Sequence, residues 1–341
     1  MYNVKTLPPP SLLKSILGFV ISGVLLWLTI RKSGLEIENV KLQTYQVVYF
    51  VIALITFVLA TWIQSIRAKL LWISRNGKVI KVNTYSSLVL GNFYNCILPG
   101  NLGEGVRALH FSKKNNVPFQ YSLASIITEK WIDALIFVPI VGLLLSLKPI
   151  TESYIIDALL LTTLMIVLLF IVFVTFQLNI KIEKTVWRIV LKFGVIGKYL
   201  FKLYKKVVEQ LRNLMKSGLI FPYIVLCACF FIGNIIQFLF LLKAAGIDAP
   251  IGGLYTSFLI AICIMIIVIV PSAPSNIGVL HYGIYLTLIL ASHQLGFSPQ
   301  KGDLQSFALF SILLHLSYLL PEITLGLLYM IKERKTLFEL L

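Results

Sequence analysis

Charge is what this sequence has least of. Only 13% of its 341 residues are Asp, Glu, Lys or Arg and 58% are hydrophobic, where soluble domains carry roughly 25% and 45–50%. No stretch is both long and polar enough for a soluble catalytic domain, so the chain reads as an integral membrane protein. Cysteine is scarce too. Cys96, Cys227, Cys229 and Cys263 all lie in or beside apolar runs, and on a helix Cys227 and Cys229 point about 200° apart. Neither a disulfide framework nor a zinc site is supported. A paired Asp motif and a Cys/His constellation are missing as well, which argues against an enzyme and gives no reason to expect a metal or a cofactor.

What is present is apolar sequence in long runs, near 12–30, 47–63, 119–147, 155–176, 218–242 and 304–331. Each approaches or exceeds the roughly 20 residues a helix needs to cross a hydrocarbon core. Arg31 and Lys32 follow the first run with no small-residue cleavage site, so it reads as a retained helix. Two further runs, 84–98 and 254–295, are interrupted. The expected fold is an all-α membrane domain over 1–341, with about six spanning helices and two re-entrant helical hairpins.

The net charge of +16 reports orientation when Lys and Arg are counted by connection. Lys5 and Lys14 at the start of the chain, with those in 64–83, 99–118 and 177–217 and after 331, make up 23 of the 30. The positive-inside rule places these connections, and both termini, in the cytoplasm of a multi-pass cell-membrane protein. Anionic-lipid contact accounts for the basic excess better than nucleic acid does. With 64–83 and 99–118 on one side, 84–98 enters and leaves from the cytoplasm. The flanks 243–253 and 296–303 hold one basic residue each, so the second interrupted run enters from outside. Irregular backbone at membrane depth needs a protein or aqueous surround.

The interrupted runs share a pattern. Asn101-Leu102-Gly103 in the first matches Asn276-Ile277-Gly278 in the second; each is followed by a Pro (Pro118, Pro299) and, seven residues later, by a Ser (Ser125, Ser306). The chain thus reads as two repeats, 47–147 and 218–331, in opposite orientations around a linker at 177–217. Inverted repeats with interrupted helices are a transporter design, with the site between the hairpin tips. A plain bundle with Pro kinks is the simpler alternative.

At these residues the sequence resembles the flippase-like transmembrane domain of the lysylphosphatidylglycerol synthase family. Leu98, Pro99, Gly100, Gly103, Glu104 and Arg107 match a first motif of the type Leu-Pro-Gly-x-x-Gly-acid-x-x-Arg. A second, Pro-Gly-Gly-x-Gly-x-x-Glu, is matched at Pro274 and Gly278, while Ser275 and Asn276 replace its glycines and His281 its acid. The resemblance covers nearly the whole chain and implies a stand-alone membrane part without the soluble aminoacyl-transferase domain.

Glu129 and Asp133, four residues apart in 119–147, share a helix face. Ionisable groups at that depth face partners or a cavity. Either one of them pairs with Arg107 across a polar pocket, its protonation coupled to substrate movement, or the same contacts form a structural ion-pair network. Arg107 offers a planar fork suited to phosphate, with Glu104 one turn away and helix-start N–H groups near Asn101 and Gly103; the alternative is an interfacial anchor. His281 reads as a phosphate contact, a proton relay or a hydrogen-bonded filler; His293 and His315 read as fillers. Glu322 follows Pro321 and is a candidate cavity residue from the other repeat, as is Asn276. Lys and Arg spaced three to four apart over 181–213 indicate amphipathic helices on the cytoplasmic leaflet.

The function these features suggest is transfer of an anionic lipid, or a headgroup on a polyprenyl-type lipid, between leaflets, with a lipid-modifying enzyme as a possible partner. The alternatives are a membrane-embedded transferase and an ion-coupled transporter of small solutes.

Overall fold

The computed structural model describes residues 12–36, 42–72, 81–98, 102–147, 180–267 and 272–333, together with 160, 163–164 and 167–168. Every regular element among them is helical: α1 (Leu12–Ser33), α2 (Thr44–Leu70), α3 (Tyr85–Ile97), α4 (Gly103–Asn115), α5 (Phe119–Leu147), α6 (Ile180–Leu191), α7 (Gly194–Lys216), α8 (Ile220–Ala244), α9 (Leu254–Ile267), α10 (Val279–Gln294) and α11 (Lys301–Glu333).

The most extensive helix pairing is α2 on α8. Along α2 the buried residues include Gln46, Ala53, Ala60 and Arg67, a seven-residue spacing that keeps one face toward a neighbour. Small side chains on that face allow close approach, as transmembrane packing favours. Gly233 of α8 lies against Ala60; a Cβ there would sit 3.6 Å from the alanine methyl. The other face of α2 exposes Val48, Val51, Ile55, Leu59 and Trp62, as a lipid-facing helix does.

Two antiparallel hairpins flank this pair. In the first, α3 packs on α4. Contacts run in opposite order from Gly91 beside Arg107, through Ser87 Oγ and His110 Nδ1 at 3.0 Å, to the Asn83 amide, which donates to Asn115 Oδ1 at 2.9 Å. Gly103 makes this possible: a Cβ there would overlap the Gly91 carbonyl and Asn95. Asn116, left-handed at φ 51°, ends α4, a conformation Asn tolerates. In the second hairpin α9 packs on α10, joined through the single 3₁₀ turn Pro274–Asn276.

The 33-residue helix α11 is a ruler along both. At its N-terminal end the Gln305 amide donates to the Gly34 carbonyl after α1 (2.9 Å). Midway, His315 meets the turn of the second hairpin at Ser275 (3.1 Å), and Glu322 meets Cys96 near the turn of the first (3.1 Å). At its C-terminal end Glu333 pairs with Lys114, at the base of the first hairpin (2.8 Å). The hairpins therefore approach from opposite ends of α11, and the end of α3 meets the turn of the second hairpin beside its middle.

Among the described residues, four stretches are long and apolar enough to cross a membrane: Thr44–Leu70, Ile220–Ala244, Pro274–Gln294 and Lys301–Glu333. The third is not one straight helix, because Ser275 and Asn276 both stand at φ 57° and break it just after its start. α5 has the length of a span, 29 residues, but carries Glu129, Lys130 and Asp133. The expected span at 155–176 lies almost wholly outside the described residues. α7 docks on α5, where Gln210 accepts from Thr128 Oγ1 (3.2 Å) and donates to the Tyr121 carbonyl (3.3 Å).

Candidate functional site

Six ionised side chains from α2, α4 and α5 meet in one network. Arg67 holds Asp133 through both guanidinium nitrogens, Nη1 to Oδ1 at 2.5 Å and Nη2 to Oδ2 at 3.0 Å. Its Nη2 also lies 3.6 Å from Glu129 Oε1. Arg107 Nη2 donates to Glu129 Oε2 at 2.5 Å and Nη1 to Glu104 Oε2 at 3.4 Å. Lys130 Nζ completes the set, 3.0 Å from Glu104 Oε1. Three cations face three carboxylates, so the network is neutral, as burial requires. Arg67, Arg107 and Glu129 are buried. The rings of Tyr223 and Phe230 lie 5.9 and 5.2 Å from the Arg67 guanidinium, within cation–π range. Two buried atoms keep unused hydrogen-bonding capacity, Arg67 Nε and Glu129 Oε1. A narrow cleft lined by Trp72, Thr84, Phe111, Ser122 and Ser125 reaches Arg107.

A second polar cluster sits where the hairpin turns meet. His281 Nε2 lies 3.3 Å from His315 Nδ1, and His315 Nε2 lies 3.1 Å from Ser275 Oγ. Ser275 also stands beside the Cys96 thiol, which donates to Glu322 Oε2. Asn276 Oδ1 accepts from Ser272 Oγ (2.6 Å), and the Ala273 amide donates to Ser22 Oγ of α1 (3.0 Å). The carboxylate of Glu322 faces a small cleft with Phe57, Thr61, Val89 and Asn92.

A family model described as the lysylphosphatidylglycerol synthase transmembrane region matches residues 15–320. The chain belongs to this family. No curated protein and no solved structure matches it. Within the lysylphosphatidylglycerol synthase transmembrane family this chain is a multi-pass membrane protein, and the match runs through both hairpins, the ionic network and the second cluster up to, but not including, Glu322.

The turn geometry shows why glycine suits two of the three positions at which this chain departs from the second motif. Ser275 and Asn276 stand where that motif has glycines, and both adopt φ 57°, the left-handed region in which a Cβ costs roughly 1–2 kcal/mol. Gly278, which matches, stands at φ 79°, and a Cβ there would run into the Ser22 backbone of α1.

The residues singled out in the sequence fall into two groups, not one. Glu104, Arg107, Glu129 and Asp133 belong to the ionic network; Asn276, His281 and Glu322 belong to the cluster at the turns. Gly103 packs against α3 and leaves no room for a ligand. Asn101 lies outside the described residues. Arg107 pairs with Glu129, but Asp133 pairs with Arg67. Arg67 went unrecognised because it lies near the end of α2 beside a basic connection and counts there as an interfacial charge. The signal that marks it is its place on the Gln46, Ala53, Ala60 stripe. His315 is buried and hydrogen-bonded, and its partners are His281 and Ser275. Among the described residues no group of three His, Cys, Asp or Glu is placed to hold a metal ion.

Proposed function

We propose that this protein moves an anionic amphipathic lipid, or the headgroup of a lipid-linked carrier, between the leaflets of the cell membrane, with Arg107 as the headgroup contact. Membership of the lysylphosphatidylglycerol synthase transmembrane family supports a role that concerns membrane lipid. The observation that carries the reading is the exchange capacity around Arg107. Each of its two carboxylate partners already has a second cation at hand: Glu104 has Lys130, and Glu129 has Arg67. A phosphate can therefore take the Arg107 fork without leaving a carboxylate unpaired, and bidentate phosphate recognition is what a guanidinium does best. Arg67 lacks this property, since among the described residues no other cation forms an ion pair with Asp133, and Lys130, which shares it through Glu104, has no planar fork.

The path is supplied by an inverted repeat of helix, hairpin, helix, 47–147 and 218–331. Helix contacts support it, since they recur when the two halves are exchanged: α3 packs on α11 as α9 does on α5, α4 on α5 as α10 does on α11, and α2 on α8 is the self-paired contact. The hairpins enter from opposite faces, a polar route forms at their turns, and the acyl chains stay in lipid. Termini and the α6–α7 linker are cytoplasmic. Phe193, Val195 and Ile196, all exposed, rest on the leaflet beside Lys192 and Lys198.

Leaflet exchange of headgroup-labelled phosphatidylglycerol in reconstituted vesicles tests this. The wild-type protein exchanges the label, Arg107→Ala loses the activity by roughly a hundred-fold, the scale of about 2–3 kcal/mol for a charged contact, and Arg107→Lys restores part of it. Full activity in Arg107→Ala makes the network structural. Uptake of a soluble anion without any lipid exchange sinks the lipid reading.

A further inference from the structure

Five side chains from three separated stretches form one hydrogen-bonded row. The Gly278 main-chain amide donates to His281 Nδ1 at 3.2 Å, and from there the row runs through His315, Ser275 and Cys96 to Glu322. A main-chain amide can only donate, so His281 Nδ1 is an acceptor and the neutral ring carries its proton on Nε2. The remaining directions follow one from another. His281 Nε2–H donates to His315 Nδ1, His315 Nε2–H to Ser275 Oγ, the Ser275 hydroxyl to Cys96 Sγ, and the thiol to Glu322 Oε2. Each group of the row thus has its next acceptor on the side of the carboxylate, although the thiol also has the Asn92 carbonyl within 3.4 Å.

That carboxylate has no cation. Among the described residues no Lys or Arg forms an ion pair with Glu322, unlike the carboxylates of the ionic network. The titratable groups that face it are Cys96 from α3 and Tyr318 from its own helix, with the two histidines reached through Ser275. Where α2 faces it, Phe57 and Thr61 do not titrate. α8 contributes Gln237 at Ser317, and α1 joins α11 at the far end through Gly34. An ionised carboxylate at membrane depth without a counter-charge is costly and marks proton relays.

We propose that Glu322 is a proton-binding site loaded through the row from His281 to Cys96, and that loading it releases the turn of the second hairpin. One proton arrives at His281 Nδ1. The His281 Nε2 proton passes to His315 Nδ1, the His315 Nε2 proton to Ser275 Oγ, the Ser275 proton to Cys96 Sγ, and the thiol proton to Glu322 Oε2. One proton enters, one carboxylate is neutralised, and each relay group keeps the number it had. His281 then carries its proton on Nδ1 and can no longer accept from the Gly278 amide. Gly278 is where the turn sits directly on the α1 backbone at Ser22, so loss of that bond loosens the turn at its seat. Proton loading and turn release are thus a single event. This goes beyond the lipid reading and holds for any substrate.

The test uses the full chain in vesicles of phosphatidylethanolamine and phosphatidylglycerol with no added substrate. The pH is dropped rapidly while the infrared carbonyl band of protonated carboxyl groups is followed. One component of the band is expected to vanish in Glu322→Gln. In Cys96→Ala it keeps its amplitude but rises roughly ten-fold or more slowly, since a positioned proton carrier is lost; Cys96→Ser, which retains a donor and an acceptor, restores the rate. Thermal unfolding checks that each variant is folded, and Glu322→Asp, which moves the band rather than removing it, serves if the glutamine variant is not. A component that survives intact in Glu322→Gln, or unshifted in Glu322→Asp, overturns the site. Wild-type rate in Cys96→Ala overturns the relay.

Discussion

Arg67 and Arg107 are chemically alike and lie in the same network, yet their neighbours give them different parts. Arg67 is enclosed by Asp133, Glu129 and two aromatic rings, so its removal leaves the half-buried Asp133 without its ion-pair partner. Arg67→Ala is expected to destabilise the protein by about 3–5 kcal/mol, as breaking one side of a buried ion pair does, and replacing both partners with apolar residues recovers most of it. Thermal unfolding of the purified protein compares Arg67→Ala with Arg67→Met/Asp133→Leu. Equal losses in the two would show that shape, not charge, is what Arg67 provides. The carboxylates of this network were readable in the sequence because Asp and Glu inside an apolar run have no innocuous place to be. Arg67 was not, because a basic residue at a helix end is ordinarily an interfacial charge, and its partner lies 66 positions away.

The hairpins were legible as elements for a different reason. Pro and Gly cannot continue an apolar helix without consequence, so 84–98 and 254–295 announced their interruptions. What composition could not convey is that Ser275 and Asn276 carry a conformation suited to glycine. Ser275→Gly is expected to leave stability unchanged or raise it by up to about 1 kcal/mol, left-handed strain relieved being set against added freedom in the unfolded chain. Asn276→Gly gains less, since Asn tolerates that region better. Gly278→Ala goes the other way, because its Cβ meets backbone that cannot rotate aside. Unfolding midpoints of the three variants order these effects; a destabilising Ser275→Gly would show that the turn relies on the serine hydroxyl more than on its backbone. The amphipathic linker was visible from spacing alone. Its docking was not, because Gln210 reads as one more polar position until Thr128 and Tyr121 are placed beside it.

For the molecule as a whole, α11 sets the arrangement. It passes one hairpin with its N-terminal half and the other with its C-terminal half, and its middle receives the turn of the second hairpin at His315 and the end of α3 at Glu322. The ionic network lies a short way along the first hairpin: Gly91, which faces Arg107, precedes Cys96 by five residues, roughly 8 Å of helix. A headgroup held at Arg107 and a proton held at Glu322 would therefore act within one membrane half-thickness of each other. The charge count proposes a layout from the connections, although two of the residues counted, Arg67 and Arg107, belong to helices and face the interior. Its central claim, that the two hairpins enter from opposite faces, is tested most directly by single cysteines at four exposed positions, labelled from one side of the membrane at a time with native-thiol labelling subtracted. Lys81→Cys and Asn116→Cys flank the first hairpin, and Asp248→Cys and Ser298→Cys flank the second. The account predicts that the first two are reached only from the cytoplasm and the last two only from outside; either pair split between the two faces would contradict it.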